Sequence, residues 1–455
     1  MSKQEMGNDT IFALASGSGR AAIAVLRLSG KATASIVKGL AGKLSEPRVA
    51  TLATLRDPRS GEALDRALLI WFPAPRSFTG EDCAEFHLHG GQAVVAAVIK
   101  AIGMFTGTRP AEPGEFTRRA LLNGKMDLAE VEGLADLIDS ETEWQRRQAL
   151  RQMEGTLSRQ AVAWRKALLE ASALIEAEID FSDEPDVPDL ILSKIEDLIT
   201  PVLTALETEL AAGQAGERIR EGLTVVISGP PNAGKSTLMN ALARRDVAIV
   251  SPHAGTTRDM LEVHLDIGGC PITLIDTAGL REAHDSVEQI GVARALKKAE
   301  SADLVLWLNE AGAPMAPLPD LSGTLWPVFT KADLHVNAEK GDPSEGPNQE
   351  INAKDALYIS AETGQNLDVL TKRISGFARS LTHEGHAGLI TRERHRRAFT
   401  SAGEALQRVL SGHEDPIEFL AEDLRAAIHA MEKISGSIDV EDILSEIFSR
   451  FCIGK

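Results

Sequence analysis

The sequence lacks the features that mark secreted and membrane-spanning proteins. Its three cysteines, Cys83, Cys270 and Cys452, are odd in number and widely spaced, which argues against a disulfide framework and for a reducing compartment. No apolar run approaches the ~18 residues that a membrane-spanning helix needs. The first ten residues do not follow the charged-then-apolar pattern of a secretion signal. We therefore expect a cytoplasmic protein with no membrane partner.

Aromatic residues and positive charge are also scarce. Aromatics make up 4% of the chain, with Tyr358 as the single tyrosine, and the net charge is −18. A protein that grips a nucleic-acid backbone unaided usually has a basic surface. If RNA is a partner, a local basic patch or a second protein has to hold it. A nucleotide site is still possible, because phosphate cradles use backbone N–H groups and one or two cations.

Hydrophobic periodicity divides the chain into segments of different class. The 455 residues are enough for roughly three domains. Short strand-like runs with turn signals predict a compact α+β domain, whereas apolar residues at three- and four-residue steps predict helices. Later strands alternate with helices, and "DIGGCP" predicts a hairpin. We predict a multidomain α+β and α/β fold with these segments: α+β in 1–120, helical in 121–217, α/β in 218–380 and helical in 381–455. An α/β domain inserted into one helical domain would explain this order.

A glycine-rich motif follows the first strand of the α/β segment and opens a helix. "GPPNAGKST" satisfies G-x-x-x-x-G-K-[ST] in the context that a phosphate-binding loop requires. Its glycines let backbone N–H groups face phosphate oxygens. Lys235 would supply a cation to the β- and γ-phosphates, and Ser236 a hydroxyl to Mg²⁺. The candidate nucleotide contacts in this loop are Asn232, Ala233, Gly234, Lys235, Ser236 and Thr237.

Three further motifs come in the order expected of a GTP site. "DTAG" comes at the end of a strand, and its first residue, Asp276, is the acidic residue expected near Mg²⁺. "TKAD" follows another strand, and its Asp333 can accept hydrogen bonds from the guanine N1–H and N2–H₂, a donor pair that adenine lacks. "SAETG" follows the last strand and would support the base. The contacts predicted here are Asp276, Thr277, Ala278, Gly279, Thr330, Lys331, Asp333, Ser360 and Ala361.

Two positions depart from the usual pattern of such sites. The first residue of the base motif is commonly Asn, and here it is Thr330, so we expect somewhat weaker nucleotide binding. Leu280 follows "DTAG" where Ras-like proteins have a Gln, and Leu cannot orient a water. Another group must therefore position it, and each available carboxylate could equally belong to a solvated loop face. These carboxylates are Glu282, Asp285 and Glu288.

Taken together, these motifs resemble those of the tRNA wobble-uridine modification GTPases, the MnmE/TrmE family. The phosphate-binding loop, "AGTTRD", "DTAGLRE", "SFTGEDCAEFHLHGG", "PGEFTRRALLNGKMDLAEVEGLADLID" and the final "FCIGK" all fit, over nearly the whole chain. The resemblance implies an N-terminal dimerising, folate-binding domain and a discontinuous helical domain with an inserted Ras-like G domain. It also implies a homodimer that joins an FAD-dependent partner in a heterotetramer and acts on tRNA. The expected reaction is installation of an aminomethyl-type group at C5 of the wobble uridine.

The resemblance also implies further site residues and cofactors. The one-carbon unit would come from a tetrahydrofolate in its 5,10-methylene or 5-formyl form, and GTP hydrolysis would use Mg²⁺, K⁺ and G-domain dimerisation. Glu288 would position the attacking water and Cys452 would act in the modification chemistry. The implied ligands are Ser236 and Thr257 for Mg²⁺; Asn232, Ser251, His253 and Thr256 for K⁺; and Arg27, Glu85, Lys125 and Lys455 for folate. The family loop usually has other residues at Pro252 and His253.

Some features permit other interpretations. Cys83, Glu85, His87 and His89 alternate along one strand and could suggest zinc, but same-face positions lie ~7 Å apart, too far for all four to meet one ion. Cys452 stands where a prenylation box places its cysteine, although Gly454 and a final lysine disfavour that box. It could also simply pack as a small apolar residue. A regulatory or ribosome-assembly GTPase, or a folate-binding module with a vestigial G domain, are the alternative functions.

Overall fold

The computed structural model divides into two units and describes most of the chain. The first unit comprises Met1–Ala135, Gln152–Ala177 and Ala421–Lys455, and the second comprises Asp136–Arg151 and Glu178–Leu420. The predicted three-domain boundaries stay a prediction. The residues described are 9–17, 19–180, 188–245, 261–276, 302–317, 323–334, 356–382, 388–412, 416–436, 447–448, 451 and 454.

Alternating apolar residues in the first 110 positions build a six-stranded sheet in the order β3-β4-β5-β2-β1-β6. All neighbouring pairs are antiparallel except β1 with β6. The sheet's strands are β1 (Thr10–Leu14), β2 (Ile23–Ser29), β3 (Thr51–Arg56), β4 (Ala63–Phe72), β5 (Cys83–His89) and β6 (Thr108–Pro110).

Helices cover this sheet unequally on its two faces. Helices α1 (Thr33–Ala41) and α2 (Gln92–Ile102) pack their apolar residues against every second strand residue, such as Leu26 and Phe86, and form the larger core. On the opposite face, α3 (Glu115–Leu122) contributes Phe116 to a small apolar cluster with Ile11 and Ala13. Strand alternation then turns the polar residues of β2 and β5 toward that second face.

Most described residues of the segments predicted to be helical lie in helices, with turns and short loops between them. They comprise α4 (Leu128–Asp139), α5 (Glu143–Met153), α6 (Thr156–Asp180), α7 (Pro188–Glu221), α10 (Glu393–Ser411) and α11 (Ile417–Ser435). Helices α7 and α10, which precede and follow the α/β segment, pack against each other. Arg396 pairs with Glu217 across this contact. That packing agrees with an α/β segment inserted between helices.

The α/β segment forms a second six-stranded sheet in the order β12-β11-β10-β7-β9-β8. All its pairs are parallel except the β8–β9 hairpin. Gly268 and Gly269 form the two-residue turn with φ of +66° and +88°, which confirms the predicted hairpin. Its elements are β7 (Leu223–Ser228), α8 (Lys235–Arg245), β8 (Leu261–Ile267), β9 (Cys270–Asp276), β10 (Leu304–Glu310), β11 (Thr324–Thr330), β12 (Leu357–Tyr358) and α9 (Leu367–Leu381).

Among the described residues, no helix is both long enough and apolar enough to cross a membrane.

Candidate active site

The phosphate-binding loop joins β7 to α8 in a conformation that requires glycine at Gly229. This residue has a φ of +141°, and a Cβ placed on it would lie 2.3 Å from the carbonyl oxygen of Leu308. No side chain can occupy that space, so only glycine lets the loop pass so close to β10. Asn232 and Gly234 also have positive φ, at +64° and +83°. The loop therefore curls as the sequence motif predicts.

Lys235 begins α8 and holds the loop together. Its Nζ donates hydrogen bonds to the carbonyl oxygens of Gly229, at 3.0 Å, and Pro230, at 2.8 Å. The side chain is buried, being only 7% exposed. A cation and the positive end of the helix dipole thus coincide at the N-terminus of α8. This combination favours binding of a phosphate group.

Ser236 and Asp276 meet beside this lysine. The Ser236 Oγ donates to the Asp276 Oδ2 over 2.9 Å, and Asp276 is fully buried. Strand β9 ends at Asp276, next to β7, so both groups lie at the carboxyl edge of the sheet. Mg²⁺ commonly takes one or two protein oxygens and completes its shell with phosphate and water. The pair therefore fits an ion held jointly with a nucleotide.

The base-binding side lies at the carboxyl ends of β11 and β12. Asp333 is exposed and lies in the turn Ala332–Leu334 that follows β11. The Ala332 N–H donates to the Ile359 carbonyl oxygen at 3.0 Å, which joins this turn to the segment leading into Ser360 and Ala361. Lys331 has a φ of +55° and pairs with Glu310 at 2.7 Å. The two base motifs are thus adjacent, as a guanine site requires.

Thr330 links the base side to the phosphate side. Its side chain is 2% exposed, and its Oγ1 lies 2.8 Å from the carbonyl oxygen of Ala233 and 3.2 Å from that of Asn309. The hydroxyl therefore braces the phosphate-binding loop, which is one of the two tasks that Asn normally performs at this position. The sequence alone predicts weaker nucleotide binding at this position, and the contact to Ala233 shows that the bracing of the loop is kept.

Replacing Thr330 by valine should weaken nucleotide binding without changing the volume that the side chain fills. Valine fills the same volume and leaves the buried Ala233 carbonyl without its donor, so the dissociation constant of GDP is expected to rise about fivefold. Equilibrium titration with a fluorescent GDP analogue measures this. Thr330→Ser keeps the hydroxyl and should stay within about twofold of the wild type. Equal affinities for the valine and wild-type proteins would contradict the bracing role.

Several predicted residues lie outside the described part of the chain. They stay predictions, and they include most of the residues expected to touch Mg²⁺, K⁺ or the attacking water. These residues are Ser251, Pro252, His253, Thr256, Thr257, Thr277, Ala278, Gly279, Glu288, Cys452 and Lys455. Gly454, which separates the last two, is described, and it lies against Leu14 and Ala15 of the first unit.

Two of the predicted folate contacts pair directly on the sheet of the first unit. Arg27 on β2 lies opposite Glu85 on β5, and its Nη2 is 2.9 Å from the Glu85 Oε1. Both side chains are partly exposed, at 24% and 21%. Lys125 donates to the carbonyl oxygen of Pro75 at 3.1 Å. A partly exposed carboxylate paired with a guanidinium suits a ligand with both an amidine-like edge and carboxylates.

An aromatic residue beside this pair was not among the sequence-based candidates. The ring of Phe78 lies 5.4 Å from the Arg27 guanidinium carbon, and 38% of this residue is exposed. Its loop is held by Thr79, whose Oγ1 bonds the Ser29 hydroxyl at 2.6 Å and whose carbonyl accepts from Asn123 at 2.8 Å. In the sequence, Phe78 belongs to the family motif "SFTGED".

The alternating Cys–Glu–His–His strand does not gather its side chains around one point. Cys83 is buried and bonds the Thr79 hydroxyl at 3.2 Å, whereas His89 is exposed and pairs with Asp65 at 2.7 Å. The His87 Nε2 is 3.5 Å from Glu85 Oε2. Within the described ranges, no three Asp, Glu, His or Cys side chains are placed to share a metal ion.

Cys270, at the start of β9, is buried and unreactive. Burial raises the pKa of its thiol to about 12, and the carboxylates of Asp266 and Asp303 act in the same direction. A thiol with so high a pKa is protonated at neutral pH and is a poor nucleophile. Of the two cysteines in the described residues, neither forms a disulfide.

Comparison with known proteins adds family evidence to this geometry. A model of the GTP-binding protein TrmE N-terminus matches residues 10–125, and a model of the MnmE helical domain matches residues 128–452. The chain belongs to the MnmE family of tRNA modification GTPases. The tRNA modification GTPase MnmE of Beijerinckia indica is 60% identical over 447 residues, covering 98% of this chain and 96% of that protein. MnmE of Methylobacterium sp. strain 4-46 is 52% identical, with 98% and 100% covered.

Two solved structures resemble part of this MnmE-family chain. Era from Aquifex aeolicus, a Y63A variant bound to GDP and AlF4⁻, has 26% identity and a TM-score of 0.25, covering 40% of this chain and 66% of its own. The G domain of the T. maritima FeoB iron transporter has 24% identity and a TM-score of 0.24, covering 34% and 98%. Scores this low support no statement about the site.

Proposed function

We propose that this chain hydrolyses GTP and works with an FAD-dependent partner to install an aminomethyl-type group at C5 of the wobble uridine of certain tRNAs. The group could be carboxymethylaminomethyl. The active form is a homodimer that joins the partner in a heterotetramer in the cytoplasm. The observation that carries the proposal is the Ser236–Asp276 pair beside Lys235, in a chain of the MnmE family. Membership of that family argues against a ribosome-assembly role.

In the proposed GTPase cycle, Lys235 transfers its hydrogen bonds from the loop carbonyls to β- and γ-phosphate oxygens. The N–H groups at the start of α8 and in the curled loop face the same phosphates. Ser236 and Thr257 would hold Mg²⁺, with Asp276 next to Ser236, and the ion would supply positive charge beside the phosphates. Asp333 selects guanine through its N1–H and N2–H₂ groups. Glu288 positions the attacking water, because Leu280 cannot.

We propose K⁺ as the second cation of this site. Asn232 supplies a side-chain oxygen within the phosphate-binding loop, where its backbone has a φ of +64°. Ser251, His253 and Thr256 would complete the ligand set, and a ligand supplied by a backbone carbonyl tolerates the change to Pro252 and His253. When bound, K⁺ supplies the positive charge that an arginine finger supplies in other GTPases.

GTP hydrolysis by the full chain should therefore depend on the monovalent cation. The turnover number is expected to be about tenfold or more higher in KCl than in NaCl, since a missing transition-state charge is costly. Steady-state phosphate release at matched ionic strength measures this, with choline chloride as a further reference. Equal rates in the two salts would remove K⁺ from the proposal and leave the Mg²⁺–GTP site intact.

The folate half of the proposal rests on Arg27, Glu85 and Lys125. In it, Glu85 pairs with the amidine-like edge of the pterin, and the two cations face the carboxylates. Lys455 reaches the same site from the chain end, and Cys452 serves the modification chemistry. The contact of Gly454 with β1, whose neighbour β2 carries Arg27, supports this placement of the last residues.

Mass analysis of tRNA nucleosides tests the proposed function as a whole. Deleting the gene from its host should remove the aminomethyl-type groups from wobble uridines and leave other modified nucleosides unchanged. If the wobble uridines keep their groups in the deletion strain, the proposed function is wrong.

A further inference from the structure

A tryptophan of the helical segment lies in the core of the α/β segment. Trp144 is the second residue of α5, and only 9% of it is exposed. It belongs to the same buried apolar cluster as Leu265 and Ile267 of β8 and Cys270 of β9. Residue 144 precedes β7 by almost 80 positions in the chain, so this packing joins two distant parts of the second unit.

The contact is made at the tip of the β8–β9 hairpin. The Trp144 backbone N–H donates to the Gly269 carbonyl oxygen at 3.2 Å. Its indole Nε1 lies 3.0 Å from the place where a Cβ on Gly269 would be, and a Cβ on Gly268 would meet the Ser375 Oγ at 2.7 Å. The turn is thus enclosed between α5 on one side and α9 on the other. A residue larger than glycine would force the indole or the turn to move.

The helical side of this contact is also fixed. The Gln145 Nε2 donates to the Arg220 carbonyl oxygen at 3.1 Å, and the Gln148 Nε2 donates to that of Gly216 at 2.8 Å. Both acceptors are in the last turns of α7, which leads into β7. The two bonds therefore fix α5, and Trp144 with it, relative to β7. Trp144 in turn fixes the tip of the β8–β9 hairpin.

The other end of the hairpin is the catalytic edge of the sheet. Strand β9 runs seven residues from Cys270 to Asp276, a length of about 20 Å. It lies between β7 and β8 and pairs with both along its length, so it cannot shorten or buckle without losing ladder hydrogen bonds. A displacement of Gly269 along the strand therefore reaches Asp276, whose carboxylate accepts from Ser236.

We infer that Trp144 is a positioning residue for GTP hydrolysis, acting through β9 on Asp276. Trp144 fixes one end of β9. The other end of β9 carries Asp276, the acidic group of the Mg²⁺ site, and the chain continues from there into "TAG". The base-binding groups lie at the ends of β11 and β12. In the sheet order, these strands are not neighbours of β8 or β9, whose hairpin Trp144 contacts. Loss of Trp144 should therefore disturb the γ-phosphate side of the site and spare the part that holds GDP. Because coupling between two sites is reciprocal, the state of the nucleotide should also alter the environment of Trp144.

Kinetics of tryptophan variants of the full chain test this inference. Trp144→Ala should lower the turnover number for GTP about fivefold or more, with the dissociation constant of GDP within about twofold of wild type. Trp144→Phe retains an apolar ring and should recover at least about half of the activity. Trp326→Ala is the matched control, since Trp326 packs against the same cluster from β11, and should keep its turnover number within about twofold. An unchanged turnover number for Trp144→Ala, or equal losses in turnover and GDP affinity, would overturn the inference.

Fluorescence gives a second test that does not depend on the stability of the alanine variant. The chain has five tryptophans, and replacing the other four, Trp71, Trp164, Trp307 and Trp326, by phenylalanine leaves Trp144 as the sole emitter. Its emission maximum or intensity should differ between the Mg²⁺–GDP complex and the complex with a non-hydrolysable GTP analogue. Identical spectra for the two complexes would show that β9 transmits nothing to Trp144.

Discussion

Lys235→Ala is expected to abolish GTP hydrolysis and to weaken GTP binding by about 100-fold or more, since the ammonium makes charge-assisted hydrogen bonds to phosphate oxygens. The lysine is buried at the start of α8, and its ammonium bonds two carbonyls of the phosphate-binding loop. Both the phosphate cradle and the loop's internal support are lost together. Phosphate release and titration with a fluorescent GTP analogue measure the two effects.

The matched control for this variant is Lys166→Ala on α6. The Lys166 side chain is 79% exposed and makes only a long surface pair with Glu170, so its loss should leave GTP binding within about twofold. The account of the phosphate site would be wrong if Lys235→Ala bound GTP with wild-type affinity.

Asp333→Asn should change which base the site accepts. A carboxylate accepts from the two guanine donors, whereas an amide presents a donor to that edge and leaves one guanine N–H unpaired. A site built to hydrogen-bond one ligand rejects a mismatched one strongly, so we expect GTP affinity to fall about 100-fold or more. Xanthine carries an oxygen in place of the guanine amino group, so XTP should bind the variant better than GTP does. Competition titration with GTP, XTP and ATP measures the change.

Asp368→Asn provides the control for the base switch. Asp368 is an exposed aspartate in the first turn of α9, in the same unit as Asp333. Its replacement removes the same charge without touching either base motif and should leave the preference for GTP unchanged. A variant at Asp333 that still prefers GTP to XTP would place base recognition elsewhere.

Local motifs predicted the conformations of the glycine-rich loop and of the hairpin turn, because each motif fixes its own backbone. "GPPNAGKST" specifies a curled loop between a strand and a helix, and the structure places Gly229, Gly234 and Lys235 accordingly. "DIGGCP" specifies a two-residue turn, since both central residues need positive φ. These predictions needed no knowledge of the rest of the molecule.

Contacts between distant segments could not be predicted in the same way. Thr330 looks like a defect in its motif until the Ala233 carbonyl, almost a hundred residues earlier, is seen within 2.8 Å of its hydroxyl. Trp144 has the periodicity of an ordinary helix residue, and nothing in "ETEWQRRQAL" indicates that it packs beside Gly269. Helix α7 likewise extends to Glu221, past the end of the predicted helical segment at 217, since Ile219 is buried in the core of the following sheet.

Complementation of the gene deletion is the most direct test that GTP hydrolysis at Lys235 drives chemistry on tRNA. Strains lacking the gene would carry the wild-type chain, Lys235→Ala or Cys452→Ser, and their wobble uridines would be analysed by mass. The wild type should restore the aminomethyl-type groups, and both variants should fail, although purified Cys452→Ser should still hydrolyse GTP. Full restoration by Lys235→Ala would contradict the account, because modification would then proceed without the nucleotide site.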